Sequence, residues 1–539
     1  MLCLVANCSV VEGRFILNGV GAKYIKYMSK QKFKSKGGFI LASIGAAVGL
    51  GNALRFPGLC AKYGGGAYLL IYFCALIILG IPMLNAELAL GRKFGGGAPK
   101  CLESLKRGAG RIGWASCVNS LVTGLIYAGL AGWILTMAIK IAPLAAEAHN
   151  LSQNEIANYF FDGVLKARGD GVISGMSPLV FGGIAVALCA IFFCLRGGAG
   201  ALAKAAKITV TVPVILLAFM AGRGLLYGNS ATALRALFVP DFSKLSSPEL
   251  WISALGQVFF SLSIVVGIMP AYGAYLPEGT NIFSCSLIIA AADFFVSVLA
   301  SVVLFTTLYG CGLQGEIGQS GIITAFAVYP AAITQLFGGR VWLNAAAGIA
   351  FYASLAMIAI QAAVSMLEAF VAPFSEAFMI KRGRLAALVC VIGAGICAVF
   401  ATTAGAAAVE ISDAFINFYN ILILGIAECV VFALGGKKSV ALAGEINRFT
   451  RKLKMPEKFF GISVRILSPS VLSALTCFEV YRLVTNGLAF PLWLQICFGW
   501  GLSFIVFAAA LIIARRALSP VPYKFRKPLK SLKINKNKA

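Results

Sequence analysis

Long apolar runs alternate with short polar connections along almost the whole chain. The runs at 67–90 and 492–514 hold about 20 residues or more with almost no charge, enough for a helix to cross a hydrocarbon core of about 30 Å. Counting such runs predicts twelve helices, at roughly 37–60, 66–90, 113–142, 178–195, 205–227, 248–275, 282–310, 341–377, 384–403, 411–435, 461–484 and 488–516. Two runs are interrupted. The first contains Ile44-Gly45-Ala46-Ala47-Val48-Gly49-Leu50-Gly51-Asn52, followed by Arg55 and Pro57. Each of its glycines weakens a helix by roughly 1 kcal/mol relative to alanine. The sixth carries Gln257 and Ser261-Leu262-Ser263 and ends at Gly267. Broken backbone is tolerated at membrane depth only where it lines a cavity or is buried in protein. Breaks in corresponding positions of two five-helix halves point to a transporter site. The competing reading of the glycines is close helix packing.

The pattern therefore predicts an all-α polytopic membrane protein with an inverted 5+5 helix repeat, discontinuous helices 1 and 6 and two further helices. Its parts are a basic segment at 1–36, repeats at 37–227 and 228–435, helices 11 and 12 within 436–516, and a basic tail at 517–539. Composition agrees: 60% of the 539 residues are hydrophobic and 12% charged, too few charges to cover a soluble protein of this length. A net charge of +26 raises the question of nucleic acid, and the placement of the charge answers it. Basic residues cluster at 23–36, 92–111, 196–207, 381–384, 437–458 and 515–538, whereas the connections at 147–170 and 313–317 are neutral or acidic. Alternation of this kind places the basic segments and both termini in the cytoplasm of a multi-pass protein of the plasma (bacterial inner) membrane. The partner is the lipid bilayer and not nucleic acid. The first 20 residues carry Glu12 and Arg14 and lack the pattern of a cleaved signal. Fifteen cysteines, mostly in apolar runs and without metal-ligand spacing, read as small hydrophobes. His149 sits in a polar loop, where surface decoration is the expected role.

Charges within the spans require a reason, because each costs at least about 2.5–3.5 kcal/mol to insert. Arg55, Glu87, Asp293 and Asp413 stand out. Asp293 lies in the apolar run 287–305 with no Lys or Arg in its own span, so it is a candidate to bind a cation, relay a proton or pair with a base elsewhere. Arg55 and Asp413 both fall toward the extracellular ends of their helices, as a gate or a static bridge. No Ser-His, HExxH or paired-aspartate arrangement lies in the spans, so an enzyme is not expected.

Three groups of motifs resemble the neurotransmitter:sodium symporter family, typified by the bacterial leucine transporter. Gly45-x-Ala47-Val48-Gly49-Leu50-Gly51-Asn52-x-x-Arg55-Phe56-Pro57 resembles its first helix. Gly64-Gly65-Gly66-Ala67, Gly80-Ile81-Pro82 and Glu87-x-x-x-Gly91-Arg92 resemble its second. The segments 240–245 and 254–263 resemble the entry into its sixth. The resemblance implies sodium-coupled import of a small amino acid by alternating access. It implies a first sodium site at the Ala47 carbonyl, Asn52, Ser261 and Asp293. This is a set of oxygens suited to a hard cation, by analogy with calcium and magnesium. Asp293 supplies a carboxylate where chloride-dependent members rely on chloride, so chloride independence is expected. Tyr127 resembles the tyrosine that holds the substrate carboxylate. Backbone near Ala46, Ala47, Leu50 and Gly51 would complete that site, and Thr123, Phe260, Ser261, Ser263, Val266 and Met366 would wall it. Gly49 stands where monoamine carriers have an aspartate, which favours an amino acid. The outer gate maps to Arg55, Asp413 and Phe260, and the cytoplasmic gate to Lys30, Phe33 and Glu376.

Two positions depart from the family pattern. Gln361 and Ala362 stand where a hydroxyl pair completes the second sodium site, leaving the carbonyls of Gly45 and Val48 with Gln361. That site is lost, rebuilt around Gln361, or replaced by a proton or by the amide itself. Val265 stands where glycine is usual, and a valine resists positive φ, so a shorter unwound stretch is expected. The alternatives to a symporter are a sodium-independent or proton-linked amino-acid exchanger of the same fold and a non-transporting amino-acid sensor. A homodimer is left open.

Overall fold

A computed structural model describes residues 32–148, 151, 153–167, 172–226, 229–310, 312, 321–450, 453–487 and 490–517. Among them no β-strand forms, and two isolated bridges are the only β pairing. Ten helices are long and apolar enough to cross a membrane, and one bent pair adds an eleventh span. The bent pair is α1 (Lys36–Ala47) and α2 (Gly51–Lys62), which meet at 53°. It is followed by α3 (Gly66–Phe94), α4 (Gly110–Glu147), α5 (Pro178–Arg196) and α6 (Gly198–Gly224). After α7 (Pro248–Ser261) and α8 (Ile268–Ala274) come α9 (Ile282–Gly310), α10 (Val341–Phe378), α11 (Arg382–Ala401), α12 (Gly405–Leu434), α13 (Glu457–Thr485) and α14 (Leu492–Ala517).

Eleven of the twelve expected spans thus appear by length and composition, with ends shifted by a few residues. The sixth, expected at 248–275, is two short helices separated by residues 262–267, neither long enough to span alone. The break is also longer than Val265 led one to expect. Ser263, Val265 and Gly267 have φ of 52°, 74° and 76°, so the valine takes up the very conformation it disfavours. A β-branched residue held there costs on the order of 1–3 kcal/mol, which surrounding contacts must offset.

The centre of the bundle is α4 against α10, which pack along their lengths. Their apolar windows are 78% and 83% buried, whereas that of α14 is 17% buried and turns side chains such as Phe504 outward. The two broken spans lie beside this centre. α8 is seated by backbone contact with α3: a Cβ on Gly91 would come within 2.0 Å of the Pro270 carbonyl oxygen, and one on Gly273 within 2.4 Å of that of Leu88. Small residues at such a crossing let helices touch where lipid offers no hydrophobic drive between them.

Candidate functional site

Helix α1 ends because its glycine-rich segment cannot hold the ladder. Val48 still donates its N–H to the Ile44 carbonyl at 2.6 Å, but its own backbone is extended, at φ −74° and ψ 95°. The chain re-enters helix at Gly51 through a π-type turn, Gly51–Arg55. The last carbonyls of one helix and the first amides of the next thereby lose intrahelical partners. The break in the sixth span faces this one, and Ser263 Oγ donates to the Ala46 carbonyl at 2.7 Å.

A buried polar cluster lies where the two breaks meet α9. Asn52 Nδ2 donates to Ser261 Oγ at 2.9 Å, to Asp293 Oδ1 at 2.7 Å and to Ser297 Oγ at 2.8 Å, while its Oδ1 accepts the Gly49 N–H at 3.1 Å. Ser261 Oγ lies 2.7 Å from both Asp293 carboxylate oxygens, and Tyr72 donates to Oδ2 at 2.9 Å. Asp293 is completely buried, and each of these partners is neutral. The structure thus brings together Asn52, Ser261 and Asp293 as expected, and adds Tyr72 from α3. Tyr72 gave no signal in the sequence because an aromatic in an apolar run is ordinary packing.

The adjoining cavity has about 230 Å³ of space not filled by atoms, counted to its open mouth. Ala46, Ala47, Gly51, Tyr127, Phe260, Ser261, Ser263 and Met366 line it as expected, with Gly49, Asn52 and Ala362 in addition. Leu50, Thr123 and Val266 do not line it. Thr123 instead donates to Asn417 Oδ1 at 2.6 Å, and the Val266 carbonyl accepts from Ser120. Among the described residues the Tyr127 hydroxyl makes no hydrogen bond to protein, so it is available to a ligand. Gly51 is required by close approach, since a Cβ there would come within 2.4 Å of the Phe260 ring.

At the expected outer gate Arg55 and Asp413 are not joined as an ion pair. Arg55 lies over the rings of Phe260 and Phe418, at 5.4 and 5.5 Å from their centroids, a cation–π arrangement. Asp413 accepts from Asn417 Nδ2 at 2.7 Å. Since Asn417 also holds Thr123, it links the gate carboxylate to α4. On the opposite side Lys30 lies outside the described residues, and Glu376 pairs with Lys100 at 2.8 Å. Phe33 is buried among Phe39, Tyr272 and Tyr275, and its N–H reaches the Tyr275 carbonyl at 3.0 Å. Arg382 and Glu368 form a second, buried ion pair nearby, with Tyr275 donating to Glu368 at 3.4 Å. Phe418 and Lys100 could not have been found by spacing, because each is remote in sequence from its partner; Asn417 stands one helical turn from Asp413, but its second partner, Thr123, is remote.

The second cation position is differently furnished. Gln361 is buried, its Cγ packs where a Cβ on Gly45 would sit (2.8 Å), and its Oε1 lies 2.9 Å from Thr209 Oγ1. Its Nε2 has no partner. Ala362 offers only a methyl group, 3.6 Å from where a Cβ on Gly49 would be.

Comparison with known proteins agrees with this geometry. The Sodium:neurotransmitter symporter family matches residues 30–142 and 142–518. An uncharacterized sodium-dependent transporter of Methanocaldococcus jannaschii is 29% identical over 517 residues, covering 93% of this chain and 99% of that protein. The sodium-dependent neutral amino acid transporter B(0)AT1 of Mus musculus is 23% identical over 548 residues, covering 86% and 84%. The crystal structure of MhsT in complex with L-phenylalanine superposes with a TM-score of 0.69 at 24% identity, over 83% of this chain and 99% of that one, and so shares the fold.

Proposed function

We propose that this chain, which belongs to the sodium:neurotransmitter symporter family, imports a small neutral amino acid together with sodium by alternating access. The observation that carries the reading is Asp293. A fully buried carboxylate with only Asn52, Ser261 and Tyr72 as donors leaves a negative charge uncompensated inside the membrane. Sodium held by Asp293, Asn52, Ser261 and the Ala47 carbonyl neutralises it beside the cavity. The same charge takes the place of an external anion, so uptake needs no chloride. The substrate carboxylate is held by Tyr127 and the backbone amides near Leu50 and Gly51, where the helix dipole favours an anion. Gly49 leaves no acidic partner for an amine. Neutral amino acids are also the substrates named for the mouse relative.

Sodium also binds, more weakly, beside Gly45 and Val48. The Thr209 hydroxyl has one proton, and it lies 3.0 Å from the Ala205 carbonyl as well as 2.9 Å from Gln361 Oε1. The two ends of an amide are sterically equivalent. With the amide turned, Nε2 donates to Thr209, the hydroxyl donates to Ala205, and Oε1 faces the α1 break as a cation ligand. Arg55 between Phe260 and Phe418 closes the outer path, and Glu376–Lys100 with the Phe33 cluster closes the inner one.

The test is uptake of radiolabelled amino acids into proteoliposomes with sodium or choline outside. Accumulation driven only by inward sodium, and lost in Asp293→Ala, is the expected result. Flux indifferent to sodium would overturn the symporter reading in favour of an exchanger.

A further inference from the structure

Arg55 and Asp413 carry opposite charges and nevertheless stand apart, each resting on a neutral substitute. Arg55 has the rings of Phe260 and Phe418, and Asp413 has the Asn417 amide at 2.7 Å. Phe418 is the next residue after Asn417 on α12, so the guanidinium already lies against the helix that carries the carboxylate. Asn417 is fixed at both ends. An ionised carboxylate only accepts, so the amide nitrogen faces Asp413 and the amide oxygen takes the Thr123 hydroxyl at 2.6 Å. The backbone is held as well. α12 passes through a π turn, Phe415–Tyr419, in which the Asn420 N–H reaches back to the Phe415 carbonyl. In an α-helix it would take the Ile416 carbonyl. Here Asn119 Nδ2 takes that carbonyl at 3.0 Å, and Asn119 Oδ1 accepts from Asn420 Nδ2 at 3.0 Å. Asn119, Thr123, Asn417 and Asn420 are all buried.

Four buried polar side chains at membrane depth call for a reason. We propose that Asn417 is a positioning residue of the outer gate, holding the Asp413 carboxylate away from Arg55, with Thr123 and Asn119 anchoring it to α4. The proposal rests on the reading of Arg55 and Asp413 as that gate. The gate has two arrangements, charges apart and charges paired, and the amide bond to Asp413 favours the first. Removing the amide withdraws that support and shifts the gate toward the pair. Asn119, Thr123 and Tyr127 follow one another at four-residue intervals and so share one face of α4. The amide thereby ties the gate to the face that carries the Tyr127 hydroxyl.

The test is the rate at which methanethiosulfonate ethylsulfonate reacts at a Met366→Cys reporter on the cavity wall, followed by peptide mass spectrometry of the purified full-length protein. Adding Asn417→Leu, which keeps the bulk and removes the amide, should slow the reaction about tenfold, the scale of one hydrogen bond to a charged group. Damaged packing would loosen the helices and speed the reaction, so the direction separates positioning from a merely structural role. Adding Asp413→Asn as well leaves Arg55 no charge to pair with, and should return the rate to within about twofold of the reporter protein. Thr123→Val, which keeps the shape and removes only the anchoring hydroxyl, should slow the reaction about threefold. The proposal is overturned by an unchanged or faster rate in Asn417→Leu, or in Thr123→Val should the leucine variant not fold. A rate that stays slow when Asp413→Asn is added overturns it too. The measurement uses neither substrate nor sodium, so its outcome stands apart from that of the uptake assay.

Discussion

The two positions proposed to hold sodium flank the same break in α1 and are built on opposite principles. At the first, three helices each contribute a compact polar side chain, Asn52, Ser261 and Asp293, and a fourth adds the Tyr72 hydroxyl. At the second, one long amide, Gln361, stands between helix carbonyls and the methyl group of Ala362. The difference lies in charge. A buried carboxylate cannot neutralise itself by rotating, so an ionised Asp293 at the first position calls for a partner of opposite charge. An amide carries no charge and can bond to Thr209 through either end, so the second position accepts a cation without requiring one. On the proposed reading, coupling rests on one strong and one weak site.

The contrast is broken most completely by Asp293→Ala, which should reduce sodium-dependent uptake by about 100-fold or more, the scale of losing a buried charged partner. Uptake that kept its sodium dependence in this variant would place coupling elsewhere. Asp293→Asn tests the charge alone. Uptake should fall about tenfold in chloride-free buffer, on the order of 1.4 kcal/mol, and recover when chloride is added, whereas the wild type is indifferent to chloride. Gly51→Ala separates the cavity from the cations. Its methyl group must push the Phe260 ring aside, so KM for the amino acid should rise roughly tenfold, at a cost of about 1–3 kcal/mol for overpacking, with half-saturating sodium nearly unchanged. The smallest effect is expected for Gln361→Met, which removes a neutral ligand. Direct sodium-22 binding should drop to one ion per chain, and half-saturating sodium should rise about fivefold, for a loss of about 1 kcal/mol. A variant that still bound two ions would assign the second site to other oxygens.

Legibility in the sequence followed charge and period. Asp293 could be singled out because a carboxylate in a long apolar run is costly and needs a reason, and the glycines of 45–51 marked the break because they weaken helix locally. Val265 was misread for a related reason. Local preference argues against positive φ, and only the Glu87 contact, brought from a helix far away in sequence, makes that conformation sustainable. Arg55 and Asp413 were both placed near the outer path, yet their partners turned out to be Phe260, Phe418 and Asn417. Rings and amides in apolar helices carry no periodic signal that distinguishes a gate from packing.

What the sequence determined by itself is the membrane class, the order of the spans and the positions of both breaks. Each of these follows from hydropathy, helix propensity or the cost of burying charge, which act within one segment. Only the tertiary structure decided which hydroxyls complete Asp293, what holds Val265 and where Gln361 points. Those depend on the approach of helices remote in sequence, where a few tenths of an ångström separate a hydrogen bond from an unpartnered atom.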